Sequence, residues 1–184
     1  MERSRRSSIL FGSIVAGIIV ADLITKAVAV AQLVPRYVPR SVIGDWVQFR
    51  LVYNQGAAFG ISVGSYSRPV FILLTVITVG ILYRMYRATA EGDLLRTAAI
   101  AMVVGGAIGN LIDRLRSAQG VVDFIDVGVG VHRWPTFNVA DMGVSVGAVL
   151  LALVLWKEDV PTTEAPAESA PQATPSEPLP GRSS

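Results

Sequence analysis

Four long apolar stretches constrain the fold of this chain more than any other feature. They cover about residues 9–34, 69–86, 97–112 and 137–156. A helix needs about 20 residues to cross a hydrocarbon core of roughly 30 Å, so each stretch is long enough, or nearly so with its flanks. A core helix of a soluble protein carries a polar stripe at helical period, whereas residues 72–82 and 98–108 contain no charge. The sequence therefore predicts a membrane protein with four transmembrane helices.

The composition agrees with membrane residence and excludes several kinds of site. Hydrophobic residues make up 52% of the chain and charged residues 16%, whereas a soluble domain is about a quarter charged. The chain has no cysteine and a single histidine, His132, so disulfides, thiolate chemistry and a multi-histidine metal centre are excluded. A net charge of +2 is no signature of nucleic-acid binding. We expect no metal, no cofactor and no nucleic-acid partner.

The orientation in the membrane depends on the first helix. If both termini lie inside, the two sides carry equal numbers of basic residues. The cluster of Arg3, Arg5 and Arg6 before the first stretch favours an inside N-terminus. A cleaved signal peptide ending near residues 27–29 is the alternative, but the charged Asp22 and Lys26 inside this segment argue against it.

Two segments, residues 35–68 and 113–136, then lie on the outer face. Residues 46–53 alternate and contain aromatic side chains, which predicts a strand followed by a turn at residues 54–56. The second segment contains glycine breakers, and we expect it to be a loop. Residues 160–184 hold six of the ten prolines and no aromatic residue. They are predicted to be a disordered tail after a membrane domain of residues 1–159.

Charged and amide side chains near the membrane are candidates for function because they are costly at this depth. Asp22 and Lys26 lie four residues apart on one helix face and form an ion-pair spacing. The pair is interpreted as structural, and a direct role in proton transfer is the alternative. The end of the third helix adds Asn110, Asp113 and Arg114.

Four aspartates gather at the outer surface in this topology: Asp113, Asp123, Asp126 and Asp141. Two carboxylates that share a site do not readily both ionise, so one retains a proton and the pair supplies an acid and a base for hydrolysis. The pattern does not show which two of the four form such a pair.

Other functions fit the residues less well. A serine–histidine pair would need His132, but no Gly-x-Ser-x-Gly motif is present, and His132 is interpreted as an interfacial anchor. A serine–lysine pair would need Lys26 or Lys157, and neither has a serine obviously placed beside it. A small transporter would distribute polar residues through the membrane, whereas a lipid-binding scaffold would tolerate substitution of the aspartates.

Five blocks of this sequence resemble the lipoprotein signal peptidase family (signal peptidase II), which are aspartic proteases of the bacterial inner membrane. The blocks occur in the order of the family and span about residues 9–157. They are Asp22–Lys26, Tyr53–Gly60, Gly106–Arg114, Val121–Phe124 and Phe137–Asp141.

The resemblance implies a membrane all-α fold, with four transmembrane helices and a small periplasmic β-sheet with a loop or short helix. Both termini would be cytoplasmic. The implied activity removes signal peptides from prolipoproteins, just before a cysteine that carries a diacylglyceryl group, and the enzyme is expected to be a monomer that contacts membrane lipid.

The resemblance also assigns roles to individual residues. It implies that Asp123 and Asp141 are the catalytic pair and that Asp22 and Lys26 support the site. Asp113 is interpreted as structural, and Asp126 has no assigned role. The implied lining residues are Asn54, Gly56, Asn110, Arg114 and Asn138.

Overall fold

The computed structural model describes residues 5–55 and 64–159. Within these residues the chain forms four long helices, α1 (Arg5–Gln32), α2 (Ser67–Ala88), α3 (Leu94–Arg116) and α4 (Val139–Asp159). All four are long and apolar enough to cross a membrane, which confirms the predicted four-helix membrane fold. Gly56 and the predicted tail at residues 160–184 lie outside the described residues.

The helix ends differ from the apolar stretches by two to four residues. Helix α1 ends before Pro35, because a proline disfavours helical geometry in the residue that precedes it. Helix α3 starts earlier than expected because the Asp93 side chain accepts a hydrogen bond from the Arg96 backbone N–H at 3.0 Å. Hydropathy therefore locates the membrane-spanning part of each helix but not its caps.

Helix α3 lies at the centre of the bundle and packs against the other three helices. Its residues Ala99, Ile100 and Ala101 have no exposed surface. Gly106 allows the close approach to α4, since a Cβ atom there would lie 2.2 Å from the carbonyl oxygen of Ala140.

The other three helices turn apolar side chains outward. Val20 in α1, Leu73 in α2 and Val149 in α4 are between 54% and 61% exposed. In water such a surface would be costly, but it suits contact with lipid acyl chains.

The segments between the helices form one antiparallel sheet in the order β1-β2-β3-β4. Its strands are β1 (Arg40–Ile43), β2 (Val47–Asn54), β3 (Val121–Val129) and β4 (His132–Arg133). Strand β2 confirms the predicted strand. The loop predicted for residues 113–136 is wrong, because its β-branched and aromatic residues pair with β2. A short 3-10 turn, Gly64–Tyr66, precedes α2.

The sheet covers the end of the bundle where α1 and α3 finish and α2 and α4 begin. Ala29 of α1 and Leu33, just after this helix, pack against Leu51 of β2 and against Val122 and Phe124 of β3, and all five side chains are buried. Burial of this apolar layer fixes the sheet on the helix ends. Strand β3 consequently lies against the ends of α1 and α3, and Asn138, just before α4, donates to the Val122 carbonyl oxygen of this strand at 3.2 Å.

Candidate active site

Asp141 is held by the cap of helix α4. The Asn138 side-chain oxygen accepts a hydrogen bond from the Asp141 backbone N–H at 2.9 Å, and the Asp141 Oδ2 accepts one from the Asn138 backbone N–H at 3.1 Å. This reciprocal pattern is a capping box, which satisfies two otherwise unpaired backbone donors. The remaining oxygen, Oδ1, accepts a hydrogen bond from Asn110 Nδ2 at 2.7 Å. Both oxygens of Asp141 are therefore fixed in direction.

Asp123 lies on β3 and is 2% exposed. Its Oδ1 accepts a hydrogen bond from Asn138 Nδ2 at 2.7 Å, and the Asn54 side chain is also hydrogen-bonded to this carboxyl group. Asn138 thus binds both carboxyl groups, Asp141 through its backbone and Asp123 through its amide. The structure brings together these two aspartates, which lie on different elements.

Burial and the negative charge of Asp141 raise the pKa of Asp123 from 3.8 to about 7. The hydrogen bonds from Asn54 and Asn138 and the positive charge of Lys26 oppose this rise only in part. Near neutral pH, Asp123 is therefore protonated in a large fraction of molecules. The arrangement places a proton donor and a hydrogen-bonded carboxylate at one site.

Lys26 and Asp22 connect the site to helix α1. The Lys26 ammonium lies 2.7 Å from Asp22 Oδ2 and 2.8 Å from Asp113 Oδ2, and it donates a hydrogen bond to Asn110 Oδ1 at 3.0 Å. These three acceptors match its three N–H donors. Asp22 Oδ1 also accepts a hydrogen bond from the Ala140 backbone N–H at 2.9 Å. The contacts are those of a pair that supports neighbouring residues, since Lys26 and Asp22 are each bound to other groups of the protein.

Arg114 lies beside this network at the end of α3. Its Nη1 donates to the carbonyl oxygen of Asn110 at 3.3 Å, and its guanidinium carbon lies 5.5 Å from the centre of the Phe71 ring. Its buried Nε has no hydrogen-bond partner within the described residues. Arg114 shares a cavity wall with Asp141, so it presents a positive charge close to that carboxylate.

Asp126 belongs to a separate cluster of charges. It is 1% exposed, and its two oxygens each lie 2.9 Å from an arginine Nε, those of Arg50 and Arg133. His132 lies exposed at the end of the sheet. In the described part of the chain, no group of three or more histidine or acidic side chains is arranged to hold a metal ion. Of the four outer aspartates, Asp123 and Asp141 are both hydrogen-bonded to Asn138, whereas Asp113 and Asp126 pair with basic side chains.

Sequence reasoning missed two parts of this arrangement. The capping role of Asn138 could have been predicted from the sequence, because an Asn followed three residues later by an acidic residue indicates a capping box at a helix start. The pairing of Asp126 with Arg50 could not have been predicted from the sequence, because it depends on the register between β2 and β3.

Two cavities meet at the aspartates. The first, called here the sheet cavity, has a volume of about 630 Å³ and is bordered by Arg36, Tyr37, Arg50, Tyr53, Gln119 and Asp123. The second, called here the helix cavity, has a volume of about 520 Å³ and is bordered by Phe71, Trp134, Phe137, Asp141, Met142 and Val146. Asn54, Pro135 and Thr136 belong to both. The carboxyl groups therefore lie between a cavity with a mixed polar and apolar lining and a more apolar one.

Comparison with known proteins identifies the family. The family model for signal peptidase (SPase) II matches residues 14–157. The lipoprotein signal peptidase of Geobacter sulfurreducens is 37% identical over 151 residues, which cover 82% of this chain and 93% of the relative. That of Rhodococcus jostii is 41% identical over 160 residues, covering 82% of this chain and 73% of the relative.

Solved structures agree with the sequence relatives. A bacterial membrane enzyme determined by the in meso method superposes with a TM-score of 0.75 at 29% identity, covering 89% of this chain and 96% of that one. A second such enzyme gives a TM-score of 0.71 at 30% identity, with 85% and 97% covered. The resemblance found in the sequence is confirmed, since the match runs from the first helix to the last: the chain belongs to the signal peptidase II family of membrane enzymes.

Proposed function

We propose that this signal peptidase II cuts prolipoproteins just before a diacylglyceryl-modified cysteine, and that Asp123 and Asp141 are its catalytic pair. One observation carries the proposal: Asn138 binds both carboxyl groups, at 2.7 Å to Asp123 and 3.1 Å to Asp141. The pKa of Asp123, raised to about 7 by burial and by Asp141, provides a protonated partner near neutral pH.

The two aspartates take different roles in the proposed reaction. Asp141 acts as the base, because hydrogen bonds from Asn110 and Asn138 fix both of its oxygens in direction. It removes a proton from a water molecule as the water attacks the carbonyl carbon before the cysteine. Protonated Asp123 donates to the developing oxyanion, and a proton then passes to the leaving nitrogen. The bond that forms is C–O and the bond that breaks is the C–N peptide bond.

The two cavities suggest how the substrate lies across the pair. The helix cavity is lined by apolar side chains of α2 and α4, including Phe71 and Val146, and we assign it to the apolar parts of the substrate at the membrane. The sheet cavity lies along β2 and has a mixed lining that includes Arg36, Arg50 and Gln119, and we assign it to the segment after the cut. The scissile bond would then rest where the cavities meet, beside Asn54 and Thr136.

The remaining predicted site residues act in this proposal by positioning. Lys26 holds Asn110, which in turn orients Asp141 through a 2.7 Å hydrogen bond. Asp22 fixes the first turn of α4 through Ala140. Arg114 provides positive charge near Asp141. Gly56, which the sequence also assigned to the site, lies outside the described residues.

We further propose an orientation in the bacterial inner membrane with both termini cytoplasmic and the sheet on the periplasmic side. Arg5 and Arg6 open α1 at the end of the bundle away from the sheet, as expected for an inside N-terminus. We also propose that the active form is a monomer.

The test is cleavage of a purified prolipoprotein, with and without its diacylglyceryl group, by the wild type and by Asp123→Asn and Asp141→Asn. We expect each variant to lose at least about 100-fold in rate, the lower range for general acid–base catalysis, and the unlipidated substrate to remain uncut. Glu91→Gln removes an exposed acid between α2 and α3 and is the matched control.

Circular dichroism and gel filtration in detergent show whether each variant still folds. Near-normal cleavage by a folded Asp123→Asn or Asp141→Asn variant removes that residue from the pair. Equal cleavage of the two substrates contradicts the requirement for the lipid.

A further inference from the structure

Two arginines border the sheet cavity, and only one of them, Arg50, is paired with a carboxylate in the described part of the chain. Arg50 Nε lies 2.9 Å from the buried Asp126, and the guanidinium also donates to Thr136 at 3.2 Å. Arg36 has no carboxylate partner within the described residues; its Nη2 donates to Gln119 Oε1 at 3.0 Å instead. Residues 56–63, which lie outside the described part of the chain, contain no acidic residue either. Arg36 therefore brings an unneutralised positive charge to this cavity.

The position of Arg36 is built by the fold. Its guanidinium carbon lies 4.3 Å from the centre of the Tyr53 ring, a cation–π contact that holds it against the cavity wall. The next residue, Tyr37, has a backbone φ of +64°, a left-handed conformation that is uncommon for a bulky residue. A hydrogen bond from the Tyr37 backbone N–H to the carbonyl oxygen of Leu51, at 3.0 Å, holds this loop on β2. Such strain concentrates at functional sites.

We infer that Arg36 is a specificity-determining residue that favours a carboxylate side chain among the first three residues after the lipidated cysteine. The inference rests on the proposed function, because it needs the segment after the cut to lie in the sheet cavity. Arg36 and Asp123 border the same cavity. An extended peptide advances about 3.3 Å per residue, so only the first few residues after the cut lie near both.

A peptide carboxylate fits this site better than a lipid phosphate does. The flanking groups, Gln119, Tyr53 and Asn54, are polar donors and acceptors suited to a peptide. The apolar side chains suited to acyl chains line the helix cavity instead. The planar fork of an arginine can bind either anion, so the flanking side chains decide between them.

The experiment compares three lipidated prolipopeptides that differ only in the second residue after the cysteine, which is Asp, Asn or Lys. The full-length wild type is expected to cleave the Asp peptide with a kcat/KM about two- to fivefold above that of the Asn peptide, the range for an exposed ion pair, and the Lys peptide most slowly. Arg36→Gln should bring the kcat/KM ratios between the three peptides close to one. Arg36→Lys should retain part of the preference for the Asp peptide. High salt should reduce the preference through screening.

Arg116→Gln is the matched control, since it removes an exposed arginine that borders neither described cavity. It is expected to leave the ratios unchanged. Unchanged ratios in Arg36→Gln, or an equal loss on all three peptides, would overturn the inference. So would an Arg36 effect that is independent of the peptide and appears in phosphatidylglycerol but not phosphatidylcholine vesicles, because the guanidinium would then bind lipid phosphate.

A binding measurement separates this inference from the proposed function. The cleaved lipopeptides carrying Asp or Asn are titrated against Asp123→Asn with and without Arg36→Gln. If the wild type cuts none of the lipidated peptides, the proposed function fails, whereas the binding ratio still tests Arg36. If cleavage depends on Asp123 but neither ratio depends on Arg36, the inference alone fails.

Discussion

Replacing Asp123 with asparagine should change how stability depends on pH as well as abolish cleavage. The folded protein raises the pKa of this buried carboxyl group from 3.8 to about 7, so folding favours its protonated form. The difference between the folded and unfolded pKa, at about 1.4 kcal/mol for each pH unit, changes the free energy of unfolding by about 4 kcal/mol. The wild type has this stability in full below about pH 3.8 and loses it as the pH rises to about 7. Above that value its stability no longer changes through Asp123. An asparagine remains neutral and has no such loss.

The measurement is chemical unfolding in detergent at several pH values between 4 and 8, for the wild type and for Asp123→Asn. The quantity of interest is the free energy of unfolding of the variant minus that of the wild type, because other titrating groups cancel in this difference. We expect it to rise by about 4 kcal/mol between pH 4 and pH 7.5 in favour of the variant. Glu91→Gln, which removes an exposed acid, should show little change.

A difference that stays constant across this pH range would refute the reasoning, since Asp123 would then titrate alike in the folded and unfolded chain. A difference that changes in the opposite direction would mean that its charged form is favoured by folding. Either result would also remove the physical basis for Asp123 as the proton donor, even if the variant were inactive.

Three further predictions follow from the same contacts. The kcat/KM for a lipidated prolipoprotein should fall about tenfold per pH unit above pH 7, measured in a pH profile, because Asp123 loses its proton there. Lys26→Met leaves the buried Asp22 and the partly buried Asp113 without their cation and should cost about 3–5 kcal/mol, seen in thermal unfolding. Gly106→Ala should prevent normal folding, because its Cβ would lie 2.2 Å from a backbone oxygen, whereas Gly80→Ala meets nothing within 4 Å and should fold normally in gel filtration.

The parts of the fold that depend on local periodicity were predictable from the sequence. The apolar stretches gave the four helices, and the spacing of Asp22 and Lys26 gave their ion pair, 2.7 Å apart in the structure. The addition of Asp113 at 2.8 Å was not predictable from spacing, because it depends on how α1 and α3 pack. The chain belongs to an enzyme family, which argues against the transporter and scaffold alternatives.

The loop predicted at residues 113–136 was wrong because its glycines were interpreted as breakers. In the structure, Gly120 has a φ of +100°, and a Cβ there would lie 2.2 Å from the Asn54 carbonyl oxygen. Gly128 lies inside β3, where a Cβ would be 2.4 Å from the His132 carbonyl oxygen. Both glycines permit a close backbone approach within the sheet. Strand pairing partners lie far away in sequence, so local composition could not distinguish the two roles.

The hydrogen bond from Ala140 to Asp22 joins residues 118 positions apart, one in the first helix and one at the start of the last. A chain still being synthesised has made Asp123 and its strand before α4 exists, so it holds one carboxyl group of the proposed pair and lacks the other. Under the proposed mechanism, peptide-bond cleavage therefore requires α4 to be in place.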